Sequence, residues 1–185
     1  MKSFKIVFLK INKTIKTMRC NDGCCTIEIK NVSYPMKRPK RIVNNRVIKK
    51  AGVFVYDPDE DRVVLVQSRG QLWGVPKGTI ENETIPECAV RELKEETGIE
   101  IKAEKFLRAT KIKNRAIYYY TEMKNTPLKI PENFDDNDST GLTWIKIDCL
   151  KKLLNTGHIM LNSHTREIFK KFLGVMLPKT EFIKV

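Results

Sequence analysis

Long hydrophobic runs are absent from this sequence of 185 residues. No stretch approaches the roughly 18 consecutive apolar residues of a membrane-spanning helix. The apolar run at 6–9 is interrupted by Lys10 before it could form the core of a signal peptide. These absences argue against a membrane protein and predict a soluble, cytoplasmic one.

Histidine is scarce, with two residues, and the five cysteines form no CxxC pair. An odd number of scattered cysteines predicts reduced thiols rather than a disulfide framework. Zinc binding by Cys20, Cys24 and Cys25 is the alternative. Because both histidines lie far along the chain, the sequence favours plain thiols.

Acidic residues are nearly missing from the first 50 positions. Residues 1–50 contain 14 Lys and Arg against 2 Asp and Glu, whereas residues 51–185 contain 21 against 20, so nearly all of the net charge of +13 lies at the N-terminal end. A basic cluster of this kind is suited to the phosphate backbone of RNA, and its candidate RNA-binding residues are Lys37, Arg38, Lys40, Arg41 and Arg46. The alternatives are a solvated arm that aids solubility and a nuclear-localisation signal.

The order of elements divides the chain into a basic N-terminal extension or small subdomain, 1–48, and a catalytic domain, 49–185. In the extension, 3–11 and 26–34 are predicted strands with a turn at 21–23. The domain has predicted strands at 51–56, 62–67, 101–112, 115–123 and 142–147, and C-terminal helices at 148–155 and 163–173. Strands with interspersed helices favour an α/β class with an α/β/α layered domain.

One further helix follows a glycine-containing loop in the stretch 73–101. Thr84 and Glu87 have the spacing of a capping box, Pro86 suits the first turn, and Gly98 provides a C-terminal stop. The sequence therefore predicts a helix between Thr84 and Gly98.

Three carboxylates share one face of this helix. Ala89, Val90 and Leu93 lie on the arc that faces a core, Glu92, Glu95 and Glu96 lie on the neighbouring arc, and Arg91 and Lys94 are predicted to point elsewhere. Like charges at this spacing repel by a few tenths of a kcal/mol per pair. A divalent cation such as Mg²⁺ or Mn²⁺ would offset the repulsion, and a solvated acidic face is the alternative.

The complete spacing resembles the sequence box of the Nudix hydrolases. The second half of the box is filled by Arg91, Glu92, Leu93, Glu95, Glu96, Gly98 and Ile99, and seven residues separate Glu83 from Arg91. Gly78 departs from the pattern, because only 79–82 lie between it and Glu83. The resemblance implies the Nudix fold, an α/β/α sandwich with a mixed sheet, and hydrolysis of a diphosphate linkage with divalent metal ions.

The same resemblance assigns roles to the acidic residues. It implies Glu92, Glu95 and Glu96 as metal ligands, and a catalytic set of Glu83, Arg91, Glu95 and Glu96 in which Arg91 orients the glutamates. Glu95 or Glu96 is preferred as the base for the attacking water. A carboxylate from the polar loop that contains Asp135, Asp136 and Asp138 is the alternative.

The residues before the box narrow the substrate. The run WGVPKG from Trp73 to Gly78 resembles the catalytic subunit of eukaryotic mRNA-decapping enzymes and the decapping enzymes of large DNA viruses. This implies a capped RNA, with Lys77 and Gly78 near a substrate phosphate. Trp73 is a candidate to stack on a base, although a tryptophan here more often packs under the loop. Diphosphoinositol polyphosphates or nucleoside diphosphate derivatives are alternative substrates, and a non-catalytic RNA-binding module is the alternative of another class.

Overall fold

The computed structural model describes residues 9–10, 15–20, 22–30, 48–68, 72–113, 115–128 and 139–178. The strands in these ranges are β1 Leu9–Lys10, β2 Ile15–Arg19, β3 Thr26–Lys30, β4 Lys50–Asp57, β5 Arg62–Ser68, β6 Leu72–Gly74, β7 Lys77–Thr79, β8 Arg108–Ile112, β9 Ala116–Glu122, β10 Gly141–Lys146 and β11 Met160–Leu161. The helices are α1 Ile85–Thr97, α2 Ile147–Asn155 and α3 Ser163–Leu173, with a 3₁₀ turn at Ala103–Lys105.

The predicted helix of the glycine-loop region is confirmed as α1. Its first turn is closed by Glu87, whose carboxylate accepts a hydrogen bond from the backbone N–H of Thr84 at 2.8 Å. At the other end Gly98 adopts the left-handed conformation, φ 73°, and its N–H donates to the carbonyl of Lys94 at 2.8 Å. Local signals therefore set both ends of the helix.

The strands form one mixed sheet in which β4 is central. It runs parallel to β9 and antiparallel to β5. The β4–β5 pairing is confined to Tyr56 and Asp57 with Val63 and Arg62. Towards the other end β4 pairs with β7 and β5 with β6, so the two short strands lie where the long ones part. This is the end of the sheet that faces the loop before α1.

Helices cover both faces of the sheet. One face packs against α1 through alternate strand residues, together with Ala89 and Leu93 of the helix: Val53, Val55, Val64 and Val66. The opposite face packs against α2 and α3 through the residues between them, together with Leu150 and Phe169: Phe54, Val63 and Leu65. The prediction of an α/β/α sandwich with a mixed sheet is confirmed.

The N-terminal hairpin continues this sheet. β2 and β3 pair antiparallel around a turn that contains Gly23 at φ 67°, and β3 pairs with β10 at Gly141 and Leu142. The strand that precedes the turn predicted at 21–23 is β2, Ile15–Arg19, which is the partner of β3, and within the range 3–11 only Leu9–Lys10 is described as strand. Alternation of side chains identifies a strand, but it does not identify the strand's partner. The domain boundary at 48/49 stays a prediction.

Two other details differ from the sequence-based expectation. The strand predicted at 101–112 begins only at Arg108, because Ile101 and Phe106 pack against the α1-side core across an intervening 3₁₀ turn. Strands β6, β7 and β11 are two or three residues long, too short for periodicity to reveal. Within the described ranges no helix is long and apolar enough to cross a membrane.

Candidate active site

Arg91 of α1 connects three of the predicted acidic residues. Its Nε and Nη2 donate to the Glu83 carboxylate at 2.9 and 2.6 Å, and its Nη1 donates to Glu92 Oε1 and Glu95 Oε2, each at 2.8 Å. Nη2 also donates to the carbonyl of Thr79 at 3.1 Å. The helical spacing alone predicts that Arg91 points away from the glutamates, and this is wrong, because its long side chain bends along the helix to reach them. The contacts agree with the orienting role that the family resemblance implies.

The pairing of Arg91 with Glu83 is strong enough to shift both titrations. Hydrogen bonds from Arg91 lower the pKa of Glu83 from 4.5 to about 2, and Glu83 in turn raises the pKa of the Arg91 guanidinium. Both groups are therefore charged at any physiological pH. We call Glu83, Glu92, Glu95 and Glu96, with Arg91, the carboxylate cluster.

Gly78 lies against the carboxylate of Glu92. In β7 it pairs with Ala51 of β4, and a Cβ built on it would lie 1.8 Å from Glu92 Oε1. Gly78 has no positive φ, so the glycine is required for space and not for an unusual backbone conformation. The loop between Gly78 and Glu83 is one residue short of the family pattern, yet the structure still brings both residues into the cluster.

The three predicted metal ligands differ in exposure. Glu96 is 6% exposed, and its Oε2 accepts the backbone N–H of Lys77 at 2.8 Å. The side chain of Glu92 is 13% exposed and that of Glu95 is 56% exposed. The cluster therefore runs from a buried carboxylate to a solvent-facing one. Carboxylate oxygens are the donors that a hard divalent cation such as Mg²⁺ or Mn²⁺ prefers.

Three lysines lie around His164, at the start of α3, and one of them, Lys77, donates its backbone N–H to Glu96 of the carboxylate cluster. Burial lowers the pKa of His164, and the positive charges of Lys113, Lys77 and Lys50 lower it further. His164 Nδ1 lies 3.2 Å from the hydroxyl of Tyr118. We call Lys50, Lys77 and Lys113 the lysine border. Sequence reasoning missed His164, because nothing local to α3 indicates that it lies near Lys77.

Some predicted residues lie elsewhere. Trp73 is 2% exposed, so the prediction that it stacks on a substrate base is corrected: its ring packs in the core, and β6 holds it between β5 and β11. The predicted RNA-binding residues Lys37, Arg38, Lys40, Arg41 and Arg46 lie outside the described residues, as do the alternative loop bases Asp135, Asp136 and Asp138.

Comparison with known proteins agrees with this geometry. The NUDIX domain model matches residues 48–164. Protein 111R of Invertebrate iridescent virus 3, whose assignment as a hydrolase is itself provisional, is 34% identical over 144 residues, which is 74% of this chain and 81% of that protein. The m7GpppN-mRNA hydrolase dcap-2 of Caenorhabditis elegans is 36% identical over 110 residues, 54% of this chain but 14% of that protein.

Solved structures show the same fold at lower identity. DR0079 from Deinococcus radiodurans has a TM-score of 0.53 at 15% identity and covers 78% of this chain and 94% of its own. The dihydroneopterin triphosphate pyrophosphohydrolase of E. coli has a TM-score of 0.50 at 19% identity, with coverage of 69% and 98%. These likenesses show the fold, and the matched domain and the viral relative identify the chain as a member of the Nudix family, a Nudix pyrophosphohydrolase.

Proposed function

We propose that the protein hydrolyses the 5′ cap of mRNA between the α and β phosphates and releases 7-methylguanosine diphosphate. The observation that carries the proposal is the meeting of the carboxylate cluster and the lysine border at Lys77, whose backbone N–H binds Glu96 and whose charge acts on His164. Carboxylates for a metal and cations for phosphate are thus side by side. The similarity to a relative named as an mRNA-cap hydrolase supports the same substrate class.

Glu92, Glu95 and Glu96 would hold Mg²⁺ or Mn²⁺. A metal ion bound there would neutralise charge on the phosphoryl oxygens and lower the pKa of a bound water. Glu95, the most exposed of the three, takes the proton from the attacking water. Arg91 holds Glu92 and Glu95 in place, and Glu83 holds Arg91.

The lysine border would bind the phosphates of the substrate. Its three ammonium groups lie close enough to His164 to lower the pKa of that ring. A neutral His164 keeps a hydrogen-bonding nitrogen without adding charge at this edge of the site. Ammonium groups beside the carboxylate cluster would reduce the repulsion between the negative phosphates of the substrate and the negative metal ligands.

The chain between β3 and β4, residues 31–47, would hold the RNA body. We call it the basic segment, and it contains the five predicted RNA-binding residues. Ile29 near the end of β3 pairs with Gly141, and Gly141 pairs with Gln67 beside β6. Lys50 at the start of β4 pairs with Thr79. Both ends of the basic segment therefore leave the sheet at the end that carries the site.

A small polyanion such as a diphosphoinositol polyphosphate is the second candidate, since the lysine border suits any cluster of phosphates. The intact carboxylate cluster argues against a non-catalytic RNA-binding module. Repelling carboxylates that Arg91 only partly neutralises are costly to keep without a cation to bind.

The test is hydrolysis of cap-radiolabelled RNA with Mg²⁺ or Mn²⁺, beside free cap dinucleotide and a diphosphoinositol polyphosphate. We expect 7-methylguanosine diphosphate from RNA and its loss in Glu95→Gln. The matched control is Glu81→Gln, which removes an exposed carboxylate in the loop before α1. Turnover of the small polyanions alone would replace decapping by metabolite hydrolysis.

The RNA-holding role has its own test. Neutralising Lys37, Arg38, Lys40 and Arg41 together should weaken RNA binding and reduce the slope of log K against log salt by about 3. An unchanged slope would remove the basic segment from the binding site without affecting the catalytic assignment.

A further inference from the structure

Four cysteines that are far apart in the sequence meet at one point. Cys20, Cys24 and Cys25 lie in the connection between β2 and β3, and Cys149 lies in the first turn of α2, 125 residues after Cys24. All four sulfur atoms lie within 4.8 Å of one another. The Sγ of Cys24 is 3.3 Å from that of Cys20, 3.6 Å from that of Cys25 and 3.5 Å from that of Cys149. We call these four residues the thiol cluster.

The sulfur spacing matches one four-coordinate metal ion. A tetrahedral site with zinc–sulfur bonds of about 2.3 Å places its sulfurs about 3.8 Å apart. All four cysteines are free thiols in the structure. A multinuclear iron–sulfur centre would need wider separations, because several iron and sulfide atoms must fit between the ligands.

Backbone N–H groups are directed at two of the four sulfurs. The backbone N–H of Cys25 donates to Cys20 Sγ, and that of Lys146 donates to Cys25 Sγ, both at 3.3 Å. Backbone N–H groups directed at sulfur are the usual outer partners of metal-bound cysteines. Cys20, Cys25 and Cys149 are buried, so the cluster is closed to solvent on most sides.

A cation next to the cluster would offset its charge. Four thiolates with one Zn²⁺ carry a net charge of −2. Arg62 lines the same cavity as Cys24, and it is paired across the sheet with Lys146. Its buried Nε has no hydrogen-bond partner among the residues that the structure describes. Its Nη2 donates to Glu60 Oε2 at 3.4 Å, so the guanidinium is partly paired, and a Cys24 thiolate lining the same cavity would provide further negative charge for the buried Nε.

We propose that Cys20, Cys24, Cys25 and Cys149 bind one structural zinc ion. All four ligands are protein sulfurs, so no coordination position remains for water or substrate. Binding converts four thiols to thiolates and releases four protons, with no change of oxidation state. This zinc is distinct from the metal of the carboxylate cluster, whose ligands are oxygens.

The zinc would fix the hairpin to the catalytic domain. β3 and β10 pair at two positions, Gly141 and Leu142, a short contact for holding a two-stranded hairpin. Three ligands come from the hairpin and the fourth from α2. A single ion therefore connects the N-terminal hairpin to α2, which lies on the face of the sheet opposite α1.

The test is the metal content of the protein, purified with a reducing agent and without chelators. The metal is measured by inductively coupled plasma mass spectrometry. We expect about one zinc per chain, lost in Cys149→Ser. Cys88→Ser is the matched control, because Cys88 is a buried free cysteine outside the thiol cluster. It should keep its zinc, and so should Glu92→Gln, which alters only the carboxylate cluster.

Cobalt replacement covers the case in which Cys149→Ser does not fold. In the unmutated protein, Co²⁺ in place of zinc should give the absorption of a tetrahedral four-thiolate site. A chain without stoichiometric zinc, a disulfide among the four cysteines, or a cobalt spectrum without sulfur charge-transfer bands would overturn the proposal.

Discussion

The carboxylate cluster and the thiol cluster both gather groups that repel one another when charged, but only one of them contains its own cation. Arg91 binds three carboxylates of the first cluster, and Glu95 remains largely exposed. The thiol cluster is mostly buried and receives backbone N–H groups. A cluster whose charge is partly offset by one arginine and that is open to solvent suits a metal ion that exchanges readily. A mostly buried cluster of sulfurs suits a metal ion that stays bound.

Metal withdrawal should separate the two clusters most clearly. Dialysis against metal-free buffer is expected to abolish turnover and leave the proposed zinc in place, because oxygen ligands in an open site release hard cations more readily than buried thiolates release zinc. Turnover and zinc content would be measured on the same sample, and Mg²⁺ or Mn²⁺ should restore the rate. Full activity in the dialysed protein would remove the distinction.

Gly78→Ala tests how tightly the carboxylate cluster is packed. The added Cβ would meet Glu92 Oε1 at 1.8 Å, so the carboxylate must move by an ångström or more. A displacement of that size should cost about 10²-fold in kcat, with the melting temperature and zinc content little changed. Thr79→Ala is the matched control, since Thr79 is exposed and binds Arg91 through its carbonyl, which alanine keeps. Equal rates for the two variants would show that Glu92 is free to shift.

Glu83→Gln tests whether Arg91 must be held. Removing the partner that orients Arg91 should reduce activity about tenfold. It should also change the acid stability. The pKa of Glu83 is about 2 in the folded protein against an ordinary 4.5. The stability it contributes is present above about pH 4.5 and is lost as the pH falls from there towards 2.

The measurement is the denaturation midpoint of both proteins at neutral pH and near pH 3.5. The gap between unmutated protein and Glu83→Gln should narrow on acidification, while any loss of stability from the thiol cluster affects both alike. A gap that stays constant would mean that the Glu83–Arg91 pair adds nothing to stability.

The parts predicted well from sequence depend on short-range signals. Thr84, Glu87 and Gly98 define α1 through contacts within one helical turn, and the spacing from Glu83 to Glu96 gives the family. Helical spacing alone misplaces Arg91, because a side chain with several rotatable bonds selects its partners only after β7 and the preceding loop are in place. Only the family resemblance implies its contact with the glutamates. For Trp73 the sequence offers two positions, on a base or packed under the loop, and the buried ring agrees with the second. A strand of three residues carries too little pattern to decide between them.

The thiol cluster shows a second limit of prediction from sequence, which is contact between residues far apart in the chain. The sequence groups Cys20, Cys24 and Cys25 as a candidate zinc site, but it offers only the distant histidines as a fourth ligand and does not indicate Cys149. Cys149 reaches them only because β3 pairs with β10 and α2 follows β10 directly. The contact between Cys24 and Cys149, 125 residues apart, depends on the order of the strands in the sheet. Local periodicity does not predict that order.

Because the hairpin joins the sheet, the basic segment is a chain whose two ends are both attached, and this limits how far it can reach. Seventeen residues, 31–47, connect two ends that both belong to the sheet. Fully extended, such a chain spans at most about 60 Å, so no point of it lies more than roughly 30 Å from one of its ends. An RNA bound to it would therefore meet the site as an intramolecular partner, at an effective concentration in the millimolar range. A terminal tail of the same composition, attached at one end only, would sample a much larger volume. If the hairpin separated from α2, the basic segment would behave more like such a tail.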